Sequence, residues 1–163
     1  MKSPISPRAV LHRKTRLSLV AVALLLAASG CAKSPPPLTP AEGILLLNNQ
    51  PLPFAQLEFM PDLSHFGAEL NSLAVTDDKG RFTLALASGQ SGAVVAWHRV
   101  VVTEGPLPEG TRGMDARSQA RLAEHMSKLA NRPIPEAYGN FSQTSLRVQV
   151  TSDQQSYTLH MKR

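Results

Sequence analysis

From residue 43 onward, apolar and polar side chains alternate along the chain with a period of two. Ala55, Leu57 and Phe59 alternate with Gln56 and Glu58, and Phe82, Leu84 and Leu86 with Arg81, Thr83 and Ala85. Val100 and Val102 follow Trp97, His98 and Arg99. Leu146, Val148 and Val150 alternate with Ser145, Arg147 and Gln149, and Tyr157, Leu159 and Met161 with Thr158, His160 and Lys162. A strand sends successive side chains to opposite faces, so each run predicts a strand with one face buried and the other wet. Residues 43–48 are more uniformly apolar and predict a more covered strand. Turn residues separate the runs: Asn48-Asn49-Gln50-Pro51, Asp77-Asp78-Lys79-Gly80 and Ser152-Asp153-Gln154-Gln155. Gly80 suits a positive φ in a hairpin joining residues 74–76 to residues 82–86. Six or seven short strands so spaced predict an antiparallel β-sandwich.

Residues 115–130 (DARSQARLAEHMSKLA) break the alternation, with no β-branched residue and no glycine. Ala116, Ala120, Ala123, Met126 and Ala130 recur at helical spacing, with Leu122 and Leu129 beside them. Asp115 is a suitable N-cap, Glu124 and Lys128 form a favourable i,i+4 pair, and Asn131 and Pro133 stop the run. The segment predicts a helix of about four turns over an end or edge of the sandwich. An alternative is marginal order, because a short Ala-rich helix is weak alone.

The charge changes the picture only when it is located. The chain of 163 residues, enough for one ordinary domain, carries 17 Lys and Arg against 12 Asp and Glu. Lys2, Arg8, Arg13, Lys14 and Arg16 lie in residues 1–30, where there is no acid, and they account for the whole net charge of +5. Residues 31–163 are therefore formally neutral. A neutral domain without a basic run releases few counterions, which argues against nucleic-acid binding.

The basic segment is followed by residues 17–28 (LSLVAVALLLAA), an uncharged stretch too short to cross hydrocarbon as a stable helix. Small residues and then Cys31, the one cysteine, complete an export signal. Ala28-Ser29-Gly30-Cys31 resembles the lipobox of bacterial lipoproteins, with Ala28 where Leu is commonest. That resemblance implies a signal peptide over 1–30, cleavage between Gly30 and Cys31, a lipid on the Cys31 thiol, and an exported domain anchored to a bacterial membrane. An ordinary cleaved signal and an uncleaved anchor are the alternatives. Residues 31–40, with three consecutive prolines, read as an extended or disordered tether.

The order of motifs in residues 41–163 resembles carboxypeptidase-regulatory-like, transthyretin-like (prealbumin) domains. Gly43-Ile44, Pro51-Leu52, Ala55, Leu57, Phe59 and Pro61 follow that family's opening pattern. Thr76-Asp77-Asp78-Lys79-Gly80-Arg81-Phe82 follows its Thr-Asp-x-x-Gly-x-Phe turn. Gly92-Ala93 with His98 to Val102 resembles a later strand, and Ile134-Pro135, Tyr138 and Thr144 to Leu146 a closing segment. Asn49 and Ala96 stand where the family commonly has glycine, and the 115–130 helix falls in a variable loop. The resemblance implies a mainly β, antiparallel, seven-stranded Ig-like or prealbumin-type sandwich with a non-catalytic role. Hydroxyisourate hydrolases of the same group end in Tyr-Arg-Gly-Ser; His160-Met161-Lys162-Arg163 does not match.

Candidate chemistry is sparse. Asp77 and Asp78 would need oxygen ligands where Val75 and Lys79 stand to form an EF-hand-like cation loop, so a solvated hairpin turn is expected. Ser91 lacks the spacing of a Gly-x-Ser-x-Gly nucleophile. His65, His98, His125 and His160 show no metal-ligand spacing, and His98 and His160 are expected at a surface or edge. Asn140-Phe141-Ser142 is a formal glycosylation sequon, uninformative behind a bacterial leader. These readings converge on a non-catalytic, cofactor-free and metal-free envelope lipoprotein. Its expected contacts are the membrane, through lipid on Cys31, and an envelope protein, through residues 105–138 and an exposed Trp97. The alternative is a carbohydrate- or small-ligand-binding module, for which exposed aromatic platforms are few.

Overall fold

The computed structural model describes residues 34–163, and the signal segment, the Gly30–Cys31 cleavage site and the lipidation of Cys31 lie outside the described residues. The described chain is mainly β, with one α-helix. Its strands are β1 (Leu38–Thr39), β2 (Glu42–Leu47), β3 (Gln50–Pro51), β4 (Ala55–Pro61), β5 (Ser72–Val75) and β6 (Arg81–Thr83). They continue as β7 (Ala85–Leu86), β8 (Ala93–Val94), β9 (Trp97–Glu104), β10 (Arg147–Gln149) and β11 (Ser156–Met161). A five-stranded antiparallel sheet has the order β10-β9-β4-β5-β7. A second sheet is centred on β2, with β11 on one side and β3 and β6 sharing the other. β1 and β8 form a separate two-stranded ladder.

One core lies between the two main sheets, an arrangement consistent with a β-sandwich. The alternating residues of the sequence supply it: Leu57, Phe59, Val100 and Val102 from one sheet, Leu45, Leu47, Leu159 and Met161 from the other. Each such buried side chain contributes about 1.5–3 kcal/mol of transfer free energy. Between β2 and β3, Asn48 and Asn49 take φ of 51° and 61°. Two left-handed residues match the twist of a two-residue hairpin, and asparagine tolerates that region better than most residues.

The pairing departs from the antiparallel, seven-stranded expectation. Eleven strands are present among the described residues, several of only two residues. β11 runs parallel to β2, from Ser156 opposite Glu42 to Met161 opposite Leu47, so that sheet is mixed. Alternation reports which face is buried, and it is blind to the direction of a distant partner.

The turn at residues 77–80 is also not a hairpin, because β5 and β6 lie in different sheets. It is a corner from one sheet to the other. Asp77 Oδ1 accepts from the Lys79 and Arg81 amides, both at 2.8 Å, and Gly80 has φ of 74°. The run 82–86 divides at Leu84. Its amide donates to the Ala41 carbonyl, after which β7 returns to pair with β5. Thr76 ties this corner to the start of β4: its hydroxyl donates to the Leu52 carbonyl and accepts from the Ala55 amide, both at 2.8 Å.

Part of the segment read as a tether belongs to the fold. The Val95 amide donates to the Pro37 carbonyl, β1 pairs with β8, and Thr39 is buried. Proline supplies no ladder donor, yet its carbonyl still accepts, so a proline-rich run can lie along a strand.

The chain from Asn131 to Thr144 closes one side. Asn131 Nδ2 donates to the Leu47 carbonyl at 2.8 Å, and Arg132 bonds both Glu104 (2.7 Å) and the Pro53 carbonyl (2.8 Å). The Tyr138 hydroxyl accepts from the Lys162 amide at 3.0 Å, and Thr144 donates to the Val100 carbonyl at 2.8 Å. Ile134 and Tyr138 pack against the core.

Candidate functional site

Helix α1 (Ala116–Ser127) occupies the expected place, in about three turns rather than four. Asp115 caps it: Oδ1 accepts from the Arg117 and Ser118 amides at 3.1 and 3.0 Å, and Oδ2 from the Ser118 hydroxyl at 2.6 Å. Those bonds, led by the Ser118 hydroxyl, hold the Asp115 carboxyl below the usual carboxylate range. On the opposite charged flank, Lys128 donates to Glu124 at 2.7 Å and lowers the Glu124 pKa.

No residue of α1 is buried. Leu122, His125 and, just beyond the helix, Leu129 are half-buried, and the His125 ring sits 5.4 Å from that of Phe54. The helix thus rests on the domain through a narrow stripe. A cleft of about 340 Å³ opens beside it, lined by Phe54, Pro108, Thr111, Arg121, His125 and Lys128 among others. The alanines that gave the segment its helical spacing face away. Ala116, Ala120 and Ala123 are exposed, Met126 is 54% exposed, and Met114 just before the cap is 97% exposed. Within residues 105–138, Arg132, Ile134 and Tyr138 serve the fold, whereas α1 offers a free surface.

Trp97 is exposed, as expected, at the start of β9. A second concavity, an open groove of about 600 Å³, runs over the β2–β6 region with Glu42, Asp77, Arg81, Thr83 and Ser156 on its walls. Its one aromatic, Phe82, is buried in the core and offers no stacking face.

His98 corrects the sequence reading. It is not at a surface or edge but 1% exposed, with its ring 5.8 Å from Phe59. Its Nε2 lies 2.9 Å from the Val94 carbonyl, which places the ring proton there, and Nδ1 has no hydrogen-bond partner. Burial pushes its pKa below the ordinary 6.5, against the opposing pull of the Val94 and Phe59 carbonyls. The alternation itself carried the signal: His98 has the parity of the buried Val100 and Val102, so a period of two puts all three on one face, although histidine scores as polar. Val148, opposite it on β10, is half-buried.

The remaining candidates stay apart. His65 is exposed in a loop, His160 is exposed on β11, and His125 sits on α1. Among the described residues, no three His, Cys, Asp or Glu side chains come together as a metal site. Asp77 spends its carboxylate on the corner. Ser91 is exposed and forms a lone bridge with Ala85, and Asn140 Oδ1 accepts from the Ser142 amide at 2.8 Å, which makes a local turn. Among the described residues, no helix is long and apolar enough to cross a membrane.

No family model, no curated protein and no solved structure matches this chain.

Proposed function

We propose that this chain is exported, cleaved before Cys31 and held on a bacterial membrane by lipid on Cys31, where its β domain binds a protein of the cell envelope without catalysing a reaction. The Ala28-Ser29-Gly30-Cys31 sequence supports the anchor. The motif order of residues 41–163 supports a seven-stranded prealbumin-type ancestry, elaborated here into shorter strands and a mixed sheet. The spacer between lipid and fold is short. Five residues lie between Cys31 and Pro37, whose carbonyl already bonds the domain.

The observation that carries the binding reading is the outward face of α1. A helix of this length is marginal unless packing holds it, and this one keeps an apolar face of alanine and methionine in solvent. Small side chains let a partner backbone approach closely. A photo-crosslinking residue at Met126, compared with one at Thr158 on β11, tests this in intact envelopes. The reading requires one reproducible adduct from position 126 that disappears in Ala120→Glu/Ala123→Glu. The same adducts from both positions would sink it. Intact mass of the purified protein tests the anchor: a mature chain beginning anywhere but a lipidated Cys31 is incompatible with it.

A further inference from the structure

The outer face of β9 and β10 carries two arginines and two aromatic rings. Register sets the arrangement: Arg147 stands directly opposite Arg99, and Gln149 opposite Trp97, while His98 between them turns into the core. Trp97 is 53% exposed and Phe141 46%. The Arg99 guanidinium lies over the Phe141 ring, 4.4 Å from its centroid, and donates to the Phe141 carbonyl at 2.8 Å.

Like charges directly opposite on a ladder repel. The Phe141 ring and carbonyl take up part of the Arg99 guanidinium, but among the described residues no carboxylate pairs with either arginine. Among the described residues the ion pairs are Lys128–Glu124 and Arg132–Glu104, and neither involves Arg99 or Arg147. Glu58, on the same outer face of β4, accepts from Asn71 at 2.8 Å instead. Two planar forks side by side suit a phosphate, and exposed Trp and Phe beside them suit the boundary between water and acyl chains.

The chain leaves the domain next to this patch. Pro37 bonds Val95, and Leu38 pairs with Val94, two and three residues before Trp97. Six residues further back is Cys31, so a fully extended connection spans at most about 21 Å. Lipid on Cys31 would therefore keep these side chains within reach of the bilayer surface.

We propose that Trp97, Arg99, Phe141 and Arg147 form a docking surface for phospholipid headgroups, with the arginines on the phosphates of anionic lipid and the rings at the interface. This rests on the lipidation of Cys31 proposed above and adds an orientation to it. The acyl chains hold the protein at the membrane; the patch decides which side faces it and leaves other surfaces free for partners.

Trp97 is the chain's one tryptophan, so its emission reports this patch alone. The full chain, produced in a bacterium with its leader, is purified in detergent and reconstituted into two kinds of vesicle. One contains phosphatidylethanolamine with phosphatidylglycerol, the other phosphatidylcholine only. In the anionic vesicles, a blue shift and several-fold stronger quenching by lipids brominated near the headgroup are expected. Arg99→Gln/Arg147→Gln should remove most of that quenching while the protein still sediments with the vesicles, and Arg147→Gln alone, an exposed change, serves if the double variant loses its fold. A lipidated, co-sedimenting chain whose Trp97 stays open to aqueous iodide overturns this inference and leaves the anchor standing. Equal quenching in both vesicles and in the arginine variants overturns it as well. So does shielding seen only when native envelope proteins are present, which would assign the patch to a protein partner. A chain without lipid on Cys31 that stays in the supernatant overturns the anchor and this inference together.

Discussion

The buried, half-satisfied ring of His98 makes a quantitative demand on stability. In the folded state Nε2 bonds the Val94 carbonyl, Nδ1 faces no partner, and burial holds the pKa below 6.5. In the unfolded chain the ring titrates at its ordinary value. Between the lowered folded value and 6.5, the unfolded state binds more protons, so stability rises with pH in that window. The contribution is fully present above 6.5 and drains away as the pH falls toward the folded value, below which it stays level. The slope cannot exceed about 1.4 kcal/mol per pH unit for one proton, so the loss by about pH 5.5 is at most about 1.4 kcal/mol. Urea unfolding at half-unit steps from about pH 7.5 to 5.5 measures it. The carboxylates held low in the fold, Glu69, Asp115, Glu124 and Asp153, titrate below that range, from ordinary values of 4.5 for the glutamates and 3.8 for the aspartates. His98→Phe keeps a ring beside Phe59 and removes the titration. Its absolute stability shifts by about 1 kcal/mol for the lost hydrogen bond, but its pH slope flattens. A variant that retains the wild-type slope, or a wild type that gains stability as pH falls through this window, refutes the assignment.

Two further perturbations test the framework. Gly43→Ala places a Cβ against the Tyr157 carbonyl and the Phe82 ring, where β2 meets β11, and should cost about 1–3 kcal/mol in chemical denaturation. Thr76→Val keeps the shape but leaves the buried Ala55 amide and Leu52 carbonyl without that hydroxyl, and a loss of about 2 kcal/mol or more in urea is expected. A change of under about 0.5 kcal/mol would show that water reaches them.

Local pattern made the burial legible and left the pairing hidden. Ala55, Leu57, Phe59, Tyr157, Leu159 and Met161 are all buried as their alternation predicts. The helix begins at the expected cap because one carboxylate and its acceptor geometry suffice to start it. What failed were features that depend on residues far along the chain. The sheet change at Leu84 depends on Ala41, and the ordering of Leu38 and Thr39 depends on β8. The orientation of α1 also had to come from three dimensions. Its alanines and its leucines both recur at helical spacing, and only the position of Phe54 shows which stripe faces inward. For the same reason the arginine pair was invisible, since cross-strand opposition of Arg99 and Arg147 is a matter of register.

The parallel pairing of β2 with β11 has a consequence for delivery. Its two strands lie more than a hundred residues apart, so β2 is held on its β3 and β6 side long before its other side can be covered. A chain that emerges gradually, from a ribosome or through a membrane pore, keeps an apolar strand half-paired until residue 161 has passed. A chain interrupted before β11 is left with an open edge on β2, a template for pairing with another chain.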